Sequence, residues 1–337
     1  MIKAVLIPGD GIGKEIAESV KEVTKALNCD IDWLEYKAGA EYYEKENKLM
    51  EDGLLEMITE TGLALKGPTA TPLGKGFRSI NVQLRQHFDT FANLRPLRSL
   101  EGIKSRYDDV DLVVVRENTE DLYTGIEHME DEDTAHATKI ITRKASERII
   151  RFAFDYARIN KRKKVTCVHK ANIMKLTDGM FLDIFNQIKD EYPDIMADSV
   201  IIDALCMKLV VDPKQFDVLV APNLYGDIIS DLCAGLVGGL GFAPSVNIGE
   251  KVRIYEAVHG SAPDIAGQNK ANPTAILMAL GMLLKDNGYE KEAEILNKAI
   301  EEEIREGKHT TSDIGGTATC TEYTEALIGR IKDETDR

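Results

Sequence analysis

Residues 3–28, KAVLIPGDGIGKEIAESVKEVTKALN, carry the reading from which the fold follows. The apolar run Ala4-Val5-Leu6-Ile7 predicts a short strand over 3–7. Glycines at 9, 11 and 13 predict a tight turn, and a helix follows over about 13–28. The same alternation continues: a strand near 30–36, helical stretches to about 60, and strand-like segments at 110–115, 164–169, 199–203, 217–221 and 252–256. Helical periods fill 143–160, 176–191, 272–286 and 289–306, and the polar tail from Lys332 to Arg337 reads as frayed. Strands alternating with helices indicate an α/β protein. The Gly-Asp-Gly-Ile-Gly turn at 9–13 invites a dinucleotide-binding reading, but the third glycine of that fingerprint is replaced by Lys14, and Glu15 behind it would repel a pyrophosphate. The turn therefore reads as a strand-to-helix corner, and a cofactor is expected elsewhere.

The 337 residues can bury a large core, and no repeat, linker or composition break marks a domain boundary. With 43% hydrophobic and 29% charged residues the chain is an ordinary globular protein. The balance of 42 basic and 57 acidic side chains, −15 in all, argues against a nucleic-acid partner. It leaves room for small anionic substrates, because local arginines can outvote the net charge. Five scattered cysteines show no zinc or redox spacing and predict a reducing compartment. No apolar run reaches the roughly 18 residues that span a bilayer. Residues 1–8 lead straight into a strand without a signal pattern, so the expected location is cytoplasmic.

Asn223-Leu-Tyr-Gly-Asp227-Ile-Ile-Ser-Asp231 places two carboxylates one helical turn apart on one face. Two hard oxygen ligands suit Mg²⁺ or Mn²⁺ better than Zn²⁺. The flanking Ile228 and Ile229 and the glycine-rich run from Gly235 to Gly241 predict buried surroundings, in which paired carboxylates need a cation or a proton. Arg85 falls on a predicted helix, Arg95 at a turn before Pro96, and Arg116 at the C-terminal end of the Val113-Val114-Val115 strand, the edge where open α/β sheets bind ligands. Together the three guanidinium groups suit a substrate with several carboxylates.

Six stretches carry a resemblance that runs nearly end to end: TPLGKGFRSINVQLR (71–85), NLRP (93–96), RENTEDLYTG (116–125), HKANIMKLTDG (169–179), the 223–231 segment and HGSAPDIAGQNKANP (259–273). The chain resembles the β-decarboxylating dehydrogenases, the isocitrate/isopropylmalate dehydrogenase family, in its NAD-dependent isocitrate branch. That resemblance implies oxidation of isocitrate to 2-oxoglutarate and CO₂ with Mg²⁺ or Mn²⁺. By it, Asp227 and Asp231 are metal ligands, with Asp203, at the end of a Val200-Ile-Ile strand, reaching in from the other subunit of a homodimer. Lys170 matches a catalytic lysine, also supplied across the dimer, and Tyr123 the tyrosine that protonates the enol carbon.

Ser79 and Asn81 match positions that hydrogen-bond the extra carboxylate of isocitrate beside Arg85, Arg95 and Arg116. Such a polar pair is poorly matched to an isopropyl group, whereas homoisocitrate, one methylene longer, is harder to exclude. The HGSAPDIAGQ loop, with His259 and Gly260, resembles the family's adenosine site. Asp264 and Ile265 hold the positions that separate NAD from NADP, and a carboxylate there repels a 2′-phosphate. The stretch around Asp313 lacks the Tyr and Arg that grip that phosphate. Asn272 matches an adenine contact, Thr71 and Glu256 nicotinamide-side contacts.

The resemblance further implies an α/β fold of two domains with the active site in the cleft between them. One domain comprises 1–94 with 241–337. The other comprises 95–240 and carries the dimer contact and an arm near 125–142 whose acidic tip runs from Glu127 to Asp133. A non-catalytic regulatory subunit is the rival from another class, but such subunits typically lack a metal ligand or the tyrosine, and all of these residues are present here.

Overall fold

The computed structural model describes residues 1–70 and 79–335. The opening stretch forms β1 (Ile2–Ile7) and α1 (Gly13–Ala26), as its pattern predicts. The corner between them requires glycine. Gly9 and Gly11 have φ of 79° and 58°, and an added Cβ would stand 2.0 Å from the carbonyl oxygens of Pro68 and Ser261 respectively.

The remaining strands are β2 (Ile31–Glu35), β3 (Leu63–Lys66), β4 (Ala92–Arg98), β5 (Asp111–Glu117), β6 (Glu127–Met129), β7 (Ala135–Ala137), β8 (Lys164–His169), β9 (Met196–Ile201), β10 (Val218–Ala221), β11 (Pro244–Ile248) and β12 (Arg253–Ala257). Ten of them form one sheet in the order β2-β1-β3-β12-β11-β4-β5-β10-β8-β9. Both flanks are parallel, while β12-β11-β4-β5 run antiparallel through the middle. β6 and β7 form a separate exposed hairpin within the stretch 125–142.

Side chains alternate between the faces of the sheet, and that alternation sets the site. On one face Leu6, Leu65, Leu94, Val113, Val115 and Val246 join a single core with α1, α5 (Arg143–Ile159), α6 (Thr177–Ile188), α9 (Thr274–Asp286), α10 (Glu290–Glu306) and α11 (Cys320–Thr335). On the other face the apolar packing is split. Val5, Ile7, Ala64 and Ile254 pack under α3 (Leu54–Thr61) and α4 (Ile80–His87). Leu97, Leu112, Val114, Leu219 and Ala221 pack under α7 (Ile202–Val211) and α8 (Asn223–Val237). α2 (Ala40–Glu46) buries no residue. By the same alternation Lys66, Asn93, Arg95, Arg116, Ser245, Asn247 and Glu256 all sit on the split face, in the gap between the two helical packs.

Four local expectations need correction. Arg95 is not at a turn but inside β4, paired with Val114. Pro96 is tolerated there because the pairing of β11 with β4 stops at Leu94. Asp203 is not at a strand end. β9 ends at Ile201, and Asp203 lies in the first turn of α7, whose nearly continuous apolar sequence hides any helical period. The C-terminal tail is not frayed up to Thr335: α11 buries Ile331 completely, and Lys298 Nζ pairs with Glu334 at 2.7 Å. The surroundings of the acidic pair are only half buried. Asp227 and Asp231 keep 38% and 56% side-chain exposure because α8 turns Ile229, Ser230 and Cys233 inward instead.

Candidate active site

The gap over β4 and β5 is lined by arginines that the strands themselves aim. Arg116, 1% exposed, donates from Nε and Nη2 to Asn223 Oδ1 at 2.9 and 2.8 Å, and its Nη1 pairs with Asp227 Oδ1. Gly226 makes this possible, since a Cβ there would stand 2.6 Å from Arg116 Cγ. Arg95 donates to Asn93 Oδ1 at 2.8 Å, Ser230 Oγ at 2.6 Å and Asp231 Oδ1 at 3.2 Å, with Nη2 3.5 Å from Asp227. The Tyr123 hydroxyl donates to Asp227 Oδ2 at 2.6 Å, and the Arg116 guanidinium lies 4.9 Å from its ring centre. The structure thus unites Arg95, Arg116, Tyr123, Asp227 and Asp231, which the sequence scatters over 137 positions counted inclusively.

Electrostatics separates the two carboxylates. Burial works against charge on Asp227, but Arg116, the Tyr123 hydroxyl, Arg95 and Arg85 outvote it and hold the group below the usual carboxylate range. Asp231 is pushed up, by burial first and by the neighbouring Asp227 charge, against Arg95. Burial also raises the Tyr123 phenol, with Arg116 opposing. An all-oxygen pair one helical turn apart fits a hard divalent cation.

Lys170 and Asp203 lie elsewhere. Their side chains form an ion pair with each other, 25% and 68% exposed. Among the described residues no three His, Cys, Asp or Glu side chains converge as a metal site, so one chain does not bring Asp203 to Asp227 and Asp231. The segments that carry the pair also expose large apolar side chains, Ile173 and Leu176 after Lys170 and Met207, Val210 and Val211 on α7.

Toward β3 and β12 the cleft continues as an open cavity lined by Asn81, Arg85, Arg95, Glu256, His259 and Gly260. Three predicted substrate residues, Asn81, Arg85 and Arg95, and three predicted cofactor residues, Glu256, His259 and Gly260, therefore line one cavity. Asn81 accepts from Thr69 Oγ1 at 3.3 Å, and Ser79 stands half buried just before α4. Arg85, 8% exposed, lies 3.7 Å from Glu256 and is lowered to about 10 by burial and by Arg116. His259 is half buried, with Nδ1 3.0 Å from the Gly260 carbonyl. Asn272 Nδ2 donates to Asp313 Oδ2 at 2.9 Å, joining two predicted cofactor residues 41 positions apart. Asp264 is exposed and Ile265 packs against the core. Thr71 lies outside the described residues.

Sequence reasoning missed a buried polar chain that ties these parts together. Lys66 Nζ is 3.0 Å from Glu256 Oε2, Asn247 donates to Glu256 Oε1 at 2.7 Å, and Asn93 donates to Asn247 at 3.0 Å and Ser245 at 2.7 Å. Asn93 in turn accepts from Arg95. A lysine closing the otherwise apolar strand Leu63-Ala-Leu-Lys66 was the available signal.

A family model described as isocitrate/isopropylmalate dehydrogenase matches residues 3–327. The chain belongs to that family. Among isocitrate/isopropylmalate dehydrogenases it is 53% identical to the NAD isocitrate dehydrogenase catalytic subunit 6, mitochondrial, of Arabidopsis thaliana, over 98% of this chain and 88% of the relative. It is 49% identical to a mitochondrial NAD isocitrate dehydrogenase regulatory subunit of Dictyostelium discoideum, over 99% and 93%. It is also 50% identical to the chloroplastic 3-isopropylmalate dehydrogenase of Solanum tuberosum, over 91% and 87%. A crystal structure of isocitrate dehydrogenase from Methylococcus capsulatus superposes with a TM-score of 0.95 at 47% identity, covering 98% of this chain and 100% of that one. The two-domain α/β fold expected from the resemblance is therefore the fold of this chain. The cytoplasmic expectation is overturned by relatives that are named mitochondrial. Its grounds were weak physically: unpaired cysteines report a reducing environment and not which compartment supplies it.

Proposed function

We propose that the chain catalyses NAD-dependent oxidative decarboxylation of isocitrate to 2-oxoglutarate, as a homodimer with shared active sites. The observation that carries this reading is the Arg95–Arg116–Tyr123–Asp227–Asp231 cluster, whose Arg95 also lines the cavity of Asn81, Arg85, Glu256 and His259. The arginines bind the substrate carboxylates through paired N–H groups. Ser79 and Asn81 hold the third carboxylate beside Arg85. Mg²⁺ or Mn²⁺ on Asp227, Asp231 and a partner's Asp203 would stabilise negative charge developing on the substrate oxygens, and NAD would accept the hydride. Tyr123, its proton kept by burial, delivers that proton from Oη to the carbon that lost CO₂. Lys170 of the second copy moves the proton of the substrate hydroxyl. Asp264 favours a ribose 2′-hydroxyl over a phosphate.

The division into 1–94 with 241–337 and 95–240 fits the gap on the split face of the sheet. It leaves Lys170, Asp203 and the exposed apolar face of α7 on the smaller part, where a second copy would cover them.

Steady-state reduction of NAD and NADP with Mn²⁺ should favour isocitrate with NAD over homoisocitrate and 3-isopropylmalate. Preference for 3-isopropylmalate, the substrate named in one relative, would overturn the roles of Ser79 and Asn81. No turnover with any pair would favour a regulatory subunit. Tyr123→Phe should keep the fold and lower kcat by roughly 10²–10⁴. An unchanged kcat would remove the tyrosine from the chemistry.

A further inference from the structure

The turn from Gly9 to Gly13 has the outline of a phosphate loop without its residues. Yet it is bonded to both segments that bring cofactor-side residues to the cleft. Asp10, 3% exposed, accepts three backbone N–H groups: Oδ2 from Ala40 at 3.0 Å and Ala70 at 2.6 Å, Oδ1 from Glu41 at 2.8 Å. Its own N–H donates to the Pro68 carbonyl at 2.8 Å. Two residues on, the Ile12 N–H donates to the Ser261 carbonyl at 3.0 Å, and Glu15 Oε1 accepts from the Asn269 N–H at 3.2 Å. Pro68 and Thr69 line the cavity just before Thr71, and Ser261 and Asn269 belong to the loop between His259 and Asn272.

That loop contains only a three-residue 3₁₀ turn, Pro263–Ile265, and its Ala262 holds φ at 40°, a left-handed value that a non-glycine residue keeps only when its surroundings impose it. We infer that the Gly9–Gly13 turn is the common post from which both cofactor-side segments hang, with Asp10 as a positioning residue for NAD. This rests on the functional reading above. Only aspartate meets the requirement. Three donors need two acceptor oxygens, and asparagine would turn an amide N–H₂ against a backbone N–H. Glutamate is too long for a space in which a Cβ on Gly39 would already stand 2.1 Å from Asp10 Oδ2.

The test is made on the full chain with Gly11→Ala, whose methyl group would press on the Ser261 carbonyl, and with Asp10→Asn as the second variant. NAD affinity and Mn²⁺–isocitrate affinity are measured separately by calorimetric titration, and amide hydrogen exchange is followed over 257–272 and over α8. Both variants should weaken NAD by about tenfold or more and leave isocitrate within about twofold. Exchange should quicken in 259–269 while α8 stays protected. Unchanged NAD affinity in both variants overturns the inference. So does equal weakening of both ligands with faster exchange in α8, which would mark a general folding defect. A wild-type chain that takes up no NAD overturns the functional reading and this role with it, and that failure is visible before any variant is made.

Discussion

Chains carrying Asp227→Asn and chains carrying Lys170→Met should each be inactive, and mixing them with partner exchange should restore about a quarter of wild-type turnover. The expectation follows from where the groups stand. Asp227 sits with Asp231, Arg95, Arg116 and Tyr123 in the cleft, whereas Lys170 pairs with Asp203 of α7, a helix that also exposes Met207, Val210 and Val211. If each active site takes its aspartate pair from one copy and its lysine from the other, a mixed dimer collects both lesions in one site. Its second site is intact. Random exchange makes about half of all dimers mixed, each with one working site of two, which gives the quarter. Loss of a proton-transferring lysine costs roughly 10²–10⁴ in rate, so the background from either parent is negligible. If each chain instead built its own complete site, every site in the mixture would carry one lesion and activity would stay at background. Restored activity would also require a homodimer, and not an association of unlike subunits.

The parts of the molecule legible in the sequence are those governed by short-range pattern. β1, α1, β8 and β10 fall where their apolar runs predict, within about two residues. Arg116 stands at the C-terminal end of β5, as the Val113-Val114-Val115 run requires. Two strands of the antiparallel centre, β4 and β11, were not legible. β4 contains Asn93, Arg95 and Pro96, and β11 contains Ser245 and Asn247, so neither reads as an apolar strand. The polar residues are the ones that face the cleft, which means that function erased the strand pattern where the site was built. α7 was hidden for the opposite reason, being apolar on nearly every side. A surface helix of that kind has no polar face to reveal its period, and its exposed Met207, Val210 and Val211 are residues that the proposed second copy would cover. The residues proposed as catalytic were legible by resemblance alone. No spacing rule would have joined Tyr123 to Asp227, 104 positions away.

Lys66→Met should be the most destabilising single replacement near the site, by about 3–5 kcal/mol at neutral pH, because it removes the close cationic partner of a buried carboxylate. Glu256 is 5% exposed, and burial alone would raise its carboxyl. Lys66, Arg85 and the donor from Asn247 instead hold it at about 2, against an ordinary value near 4.5. Over that window the folded chain binds fewer protons than the unfolded one. The stability contributed by Glu256 is therefore complete above about 4.5 and is lost as pH falls toward about 2. In Lys66→Met the cation left closest among the described residues is Arg85 at 3.7 Å, itself discouraged by burial and by Arg116. Glu256 should then prefer its proton, and the deficit relative to wild type should shrink as the medium is acidified. Adding Glu256→Gln should recover much of the loss at neutral pH, since no charge is left buried without its partner. Urea denaturation at fixed protomer concentration, repeated between neutral and acidic pH, reads all three outcomes. A deficit that does not change with pH, or a double variant no more stable than the single one, would mean that the cost of losing Lys66 lies in packing and not in the charge it neutralises. The consequence for function runs through Asn247 and Asn93 to Arg95. Glu256 at the proposed cofactor end is thus joined by hydrogen bonds to an arginine at the proposed substrate end, so the two halves of the cleft share one buried support.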